Sequence, residues 1–126
     1  MNSPYKSSGG LQRVFKAFMY SIQGLRAAVQ YEAAFRQELF LAIILLPTAF
    51  FLGRNSTEIF LLCTCIIIVL VVELINSAIE ALADSISLEQ HPLLGRAKDL
   101  GSAAVLLSLF LAGAWWLYVV CDRFFL

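Results

Sequence analysis

Val72-Glu73-Leu74-Ile75-Asn76-Ser77-Ala78-Ile79-Glu80-Ala81-Leu82-Ala83-Asp84 decides how this chain is read. It continues the apolar run Ile59 to Val72 without a break, so one helix carries both. Helical spacings of three, four and seven set Glu73, Asn76, Glu80 and Asp84 along one face, with Glu73 and Glu80 about two turns apart. Carboxylates in a membrane-crossing helix are costly. They persist where they face a bundle interior or a wet cavity and handle an ion, a proton or a substrate. Asn and Glu also hold helices together in lipid, so the stripe by itself fits either a site or interhelical packing.

Composition makes the membrane reading firm. Of 126 residues, 60% are hydrophobic and only 14% are charged, more apolar surface than a soluble domain of this length can hide. The nine basic and nine acidic residues cancel in sum, so their placement carries the information. Cys63, Cys65 and Cys121 lie in apolar runs without metal-type neighbours and read as buried thiols. The phosphate-loop, dinucleotide, zinc-protease and nucleophile-elbow motifs are absent, and a single histidine, His91, gives little support to a histidine-based metal site or triad. No nucleic-acid partner is expected.

The expected fold is an all-α membrane protein with three transmembrane helices and an N-terminal amphipathic helix. Residues 1–10, Gly- and Ser-rich and without the apolar core of a secretory signal, are expected to be disordered, leaving 11–126 as a single domain. Over 11–30, Leu11, Phe15, Phe18, Ile22, Leu25 and Val29 alternate with Arg13, Lys16, Gln23, Arg26 and Gln30, which predicts a helix lying in the membrane interface.

Spans are expected at about 34–52, 58–83 and 99–121. The apolar run Leu39 to Leu52 is too short to cross about 30 Å of hydrocarbon, so its helix must start earlier, with Arg36, Gln37 and Glu38 at headgroup depth. Pro47 is a possible kink, and Gly53 to Glu58 reads as a tight turn in which Asn55 caps the next helix. Ser85 to Arg96, with His91, Pro92 and Gly95, reads as an interfacial loop. Gly101-Ser102-Ala103-Ala104 permits close helix approach, and Trp115, Trp116 and Tyr118 read as an aromatic belt.

Orientation and depth follow. Lys6, Arg13, Lys16, Arg26, Arg36, Arg96 and Lys98 flank one side of the spans, against Arg54 and Arg123 on the other, so the N-terminus and the second loop are expected in the cytosol. Glu73 falls roughly 21 Å along the helix from Ile59 and Glu80 about 10 Å further, so the stripe runs from lipid into water. That layout suits a reaction between a lipid headgroup and a soluble cosubstrate, and hard carboxylate oxygens suit Mg²⁺ shared with phosphates. A polar face on three spans would be exposed to lipid in a monomer, which predicts oligomerisation.

Three motifs now carry a resemblance: Glu73-Leu-Ile-Asn76-Ser77-Ala-Ile-Glu80, Glu32-Ala-Ala-Phe35-Arg36-Gln37-Glu38 and Gly95-Arg96-Ala-Lys98-Asp99-Leu-Gly101-Ser102-Ala-Ala. Together, from about residue 11 to the end, they resemble the bacterial integral-membrane diacylglycerol kinase family, in its Gram-negative, diacylglycerol-using branch. The resemblance implies ATP-dependent phosphorylation of diacylglycerol to phosphatidic acid at the bacterial inner membrane. It implies Glu73 as catalytic base, oriented with Asn76, and Glu32 and Glu80 as ligands to Mg²⁺ on the nucleotide. Further nucleotide contacts implied are Arg13, Tyr20, Glu89, Gln90, His91, Lys98 and Asp99. Phe35, Arg36, Gln37, Glu38 and Leu39, with Glu73, would receive the lipid, and the assembly would be a homotrimer with active sites shared between subunits. Two alternatives stay open on sequence: an undecaprenol kinase of the same family, and a proton-coupled transporter using Glu73 without nucleotide.

Overall fold

The computed structural model describes residues 9–126, and these form helices without strands. The helices are α1 (Gly10–Tyr31), α2 (Ala33–Leu52), α3 (Ser56–Ile86) and α4 (Pro92–Phe124). Of the disorder expected over residues 1–10, residues 1–8 lie outside the described part, and Gly10 already belongs to α1. The chain divides into two compact units, α1 with Glu32 and α2 to α4.

In the first unit, Leu11, Phe15, Phe18 and Leu25 leave their apolar side chains exposed, the surface that a helix in a membrane interface presents. The helix ends at Glu32, whose backbone turns extended while its N–H still donates to the Ala28 carbonyl at 3.0 Å.

In the second unit, α2, α3 and α4 are each long and apolar enough to cross a membrane, which makes this an all-α, multi-pass membrane protein. Central α3 packs on both neighbours, which barely touch each other. Buried positions recur every seven residues: Phe35, Ala42 and Ala49 on α2; Leu62, Val69, Asn76 and Ala83 on α3; Gly101 and Ser108, then Ala112 and Val119, on α4. A seven-residue repeat is the signature of left-handed, shallow-angle packing between helices. Most seam residues on the flanking helices are small, so the backbones approach closely.

The end of the unit opposite the polar stripe is held by Ala49, Leu62 and Val119, with Leu52, Cys63, Trp115 and Trp116 against them. Trp116 turns inward and donates its indole N–H to the Leu62 carbonyl at 3.1 Å, while Trp115 stacks on Tyr118 with ring centroids 5.6 Å apart. Trp116 therefore serves the core instead of the expected aromatic belt, while Trp115 stays with the exposed Tyr118. A carbonyl with two lone pairs inside apolar surroundings supplies the indole with a partner that lipid cannot. Arg54 clamps the same end, reaching the Asp122 carboxylate at 3.0 Å and its carbonyl at 2.9 Å.

Local signals explain the helix ends. Asn55 caps α3 as expected, accepting from the Glu58 N–H at 2.9 Å. Gly53 is required before it, because a Cβ there would overlap Ile59. Helix α2 runs through Pro47, and Thr48 Oγ1 donates to the Ile44 carbonyl at 2.7 Å beside the missing bond. The loop between α3 and α4 is shorter than Ser85 to Arg96. Helix α3 continues to Ile86, and α4 already starts at Pro92, with His91 Nδ1 accepting from the Leu93 N–H at 3.2 Å. Proline has no N–H to lose at a first helical position, so a signal read as a turn is a helix start. The three cysteines are free thiols, Cys65 buried and the other two half-buried.

Where α3 meets α4 near the stripe, a Cβ on Gly101 would overlap the Asn76 side-chain oxygen, while a Cβ on Gly113 would meet no atom within 4 Å. Gly101→Ala is therefore expected to lower stability by about 1–3 kcal/mol, the usual cost of overpacking. Gly113→Ala is expected to be neutral or slightly stabilising, since alanine is the better helix former. Thermal unfolding of the two variants in detergent, followed by circular dichroism, checks the contrast.

Candidate active site

Helix α3 has 31 residues and at about 1.5 Å per residue spans roughly 46 Å, well beyond a hydrocarbon layer of about 30 Å. Its last turns therefore carry the stripe out of the apolar layer. Glu73 and Asn76 lie in the buried seam, only 5% and 7% exposed; Glu80 is half-buried and Asp84 exposed. The buried face that is Leu62, Cys65 and Val69 at one end of α3 continues through Glu73, Asn76 and Ser77 to Ala83, with Glu80 at its edge. This burial is complete within one chain, so the expectation that a monomer would expose Glu73 and Asn76 to lipid does not hold.

Asn76 is positioned from two sides. Its Nδ2 donates to Glu80 Oε1, one turn on, at 3.2 Å, and its Oδ1 is buried against Gly101 without a hydrogen-bond partner. The amide cannot flip without placing Nδ2 against the glycine and losing Glu80. One oxygen of Glu80 thus has a hydrogen-bond partner on its own helix and the other is left spare. Ser77, 8% exposed, carries a hydroxyl that also has no hydrogen-bond partner.

Across from the stripe, α2 contributes Glu38, which interacts electrostatically with Glu73. Its Oε2 is buried without a hydrogen-bond partner, and it lines an otherwise apolar cavity of about 260 Å³ with Ala42, Val69, Leu70, Gly113 and Trp116. Glu38 thus points inward, whereas a snorkelling side chain at headgroup depth would point out. Its neighbours differ: Phe35 is only 3% exposed and belongs to the packing, Arg36 and Gln37 are exposed, and Leu39 is half-buried.

Beyond the stripe, Asp84 Oδ1 takes an ion pair from Lys98 Nζ of α4 at 2.5 Å. Lys98 also lines a cavity of about 510 Å³ with Glu89, Gln90, His91 and Gly95. The structure therefore brings Glu89, Gln90, His91 and Lys98 together around one opening, while Asp99 is exposed on the following position of α4. His91 is at the same time the cap of α4. On α1, Arg13 and Tyr20 are both exposed and stand seven residues apart, hence on one helix face. Glu32, half-buried, ends α1.

Among the described residues no three His, Cys, Asp or Glu side chains converge as a metal cage. A carboxylate with one oxygen hydrogen-bonded and one spare suits a cation that takes one or two protein carboxylates and completes its shell with water and phosphate, which is how Mg²⁺ binds. Sequence reading placed Asp84 on the stripe and Lys98 at the head of the third span without linking them. It found Gly101 only as one of four small residues. A 14-residue separation across a loop of unknown path carries no sequence signal for the pair.

Comparison with known proteins adds the chemistry. Residues 19–120 match the family model described as prokaryotic diacylglycerol kinase. A diacylglycerol kinase of Haemophilus influenzae is 46% identical over 112 residues, covering 89% of this chain and 94% of the relative. The diacylglycerol kinase of Pseudomonas aeruginosa is also 46% identical, over 114 residues (90% and 93%), and that of Escherichia coli K12 is 44% identical over 115 residues (91% and 94%). With a family match over most of its length and relatives this similar end to end, the chain belongs to the prokaryotic diacylglycerol kinase family.

Proposed function

We propose that this protein transfers the γ-phosphate of ATP to the free hydroxyl of sn-1,2-diacylglycerol, forming phosphatidic acid and ADP at the cytosolic face of the bacterial inner membrane. Its N-terminus would lie in the cytosol, a reading supported by the distribution of basic residues. The relatives' names favour diacylglycerol over undecaprenol as acceptor, and family membership sets aside the transporter reading. A homotrimer with shared sites is the assembly that the resemblance implies.

One observation carries the reading: a buried carboxylate, Glu73, stands about 10 Å along the same helix face from the Asn76-held carboxylate of Glu80, where α3 leaves the apolar layer. Glu73 takes the hydroxyl proton as the lipid oxygen bonds to the γ-phosphorus and the bond to the β,γ-bridging oxygen breaks. Asn76 keeps Glu80 in place. Glu80 and Glu32 would hold Mg²⁺, which supplies charge neutralisation on the phosphates when bound. Arg13, Tyr20, Glu89, Gln90, His91, Lys98 and Asp99 bind and orient the nucleotide. Glu38, with Arg36, Gln37 and Leu39, meets the glycerol end of the lipid, and the packed Phe35 supports that segment from inside. Phosphoryl transfer asks chiefly for alignment and electrostatics, and carboxylates, an amide and cations are the residue types that can supply both.

Glu73→Gln is expected to lower turnover by about 10²–10⁴-fold, the contribution of a general base, while ATP binding and thermal stability stay close to wild type. Near-normal turnover would remove Glu73 from that role. Glu80→Gln is expected to raise the Mg²⁺ concentration needed for half-maximal rate, and an unchanged Mg²⁺ titration would count against ligation.

A further inference from the structure

Asp84 is the one stripe residue to which the proposed mechanism gives no task. It stands one turn beyond Glu80 on α3 and receives Lys98 from α4. The two side chains are 47% and 41% exposed, and ion pairs that open to water add little to stability. The helix pair does not depend on this contact, being locked nearby by Gly101 against Asn76 and at the far end by Leu62 and Val119. What the pair does determine is where the ammonium group stands. Lysine is a point charge on a flexible stem, so a fixed partner gives it a fixed place. Here that place is the rim of the cavity lined by Glu89, Gln90 and His91.

We propose that Asp84 is a positioning residue for the kinase reaction: it holds Lys98 at the mouth of this cavity, ready for the phosphates of Mg-ATP. The inference rests on the reading of Lys98 as a nucleotide contact. Without Asp84, two other carboxylates compete for the ammonium group: Glu80, one turn back along α3, and Glu89, on the wall of the same cavity. A lysine drawn to either is lost to the nucleotide, and one drawn to Glu80 also occupies a proposed metal ligand. The neutral Asp84→Asn would therefore weaken nucleotide capture and leave the phosphoryl-transfer step itself largely intact.

The test measures KM for Mg-ATP and kcat of the full-length protein in diacylglycerol mixed micelles for wild type, Asp84→Asn, Asp84→Glu, Lys98→Ala and the Asp84→Asn/Lys98→Ala double variant. Asp84→Asn is expected to raise KM about tenfold, the scale of one charge-assisted contact, with kcat within about twofold of wild type. Asp84→Glu should recover most of the loss, and the double variant should be no worse than Lys98→Ala alone. A raised KM in Lys98→Ala with a normal one in Asp84→Asn overturns the inference while leaving the nucleotide reading standing. Additive losses overturn it too, since Asp84 would then act by another route. A normal KM in Lys98→Ala overturns both. Thermal unfolding of each variant separates positioning from folding: a loss in Asp84→Asn that tracks a lowered Tm and falls on kcat is structural and contradicts the proposal.

Discussion

Helix α4 reaches α3 at Asn76 only because residue 101 has no side chain, and the rest of the site is hung from that contact. A buried amide is costly unless its polar atoms are paired. Asn76 pairs one end with Glu80 and leaves the other beside Gly101. The glycine hydrogen that takes the place of a Cβ points at that oxygen, which makes a weak C–H···O contact the only compensation the neighbouring helix offers. An incompletely satisfied polar group in a packed seam is a departure from ordinary core construction, and such departures gather where function has set the sequence.

The seven-residue seam explains how a membrane bundle can carry this chemistry without a separate catalytic domain. Leu62 and Val69 fill it where α3 lies deep, Asn76 takes the next place in that register, and Glu73 and Glu80 continue the adjoining register of Ile59 and Ile66 as α3 approaches water. The helix needs no bend or break to change from anchor to site. The two ends of the α3 and α4 pair are also built differently. Arg54 and Asp122 tie one end beside a core of Leu62, Val119 and the inward Trp116, and the other carries the polar stripe and the Asp84–Lys98 pair.

Much of this was legible in the sequence, for physical reasons that can be named. Apolar runs of span length and the three-, four- and seven-residue spacing of Glu73, Asn76 and Glu80 report helix geometry directly, and the Asn55 cap has a local signature. What was misread depended on long-range packing. Pro92 starts a helix where it looked like part of a loop, because its meaning turns on whether His91 can cap. Trp116 looked like a belt residue, yet the Leu62 carbonyl 54 positions away claims its indole. Glu38 looked like a snorkelling carboxylate, and its inward direction depends on where α2 lies against α3. The partnership of Asp84 with Lys98 required the observed loop path.

The role proposed for the buried stripe of α3 is phosphoryl transfer to a lipid hydroxyl. It is tested most directly by following the γ-phosphate of labelled Mg-ATP in mixed micelles, with diacylglycerol and undecaprenol offered in parallel. Labelled phosphatidic acid is expected from the diacylglycerol tube, and none in the absence of Mg²⁺. Label on undecaprenol alone would contradict the assigned acceptor, and label on neither lipid, with a protein shown to be folded, would contradict the claim itself.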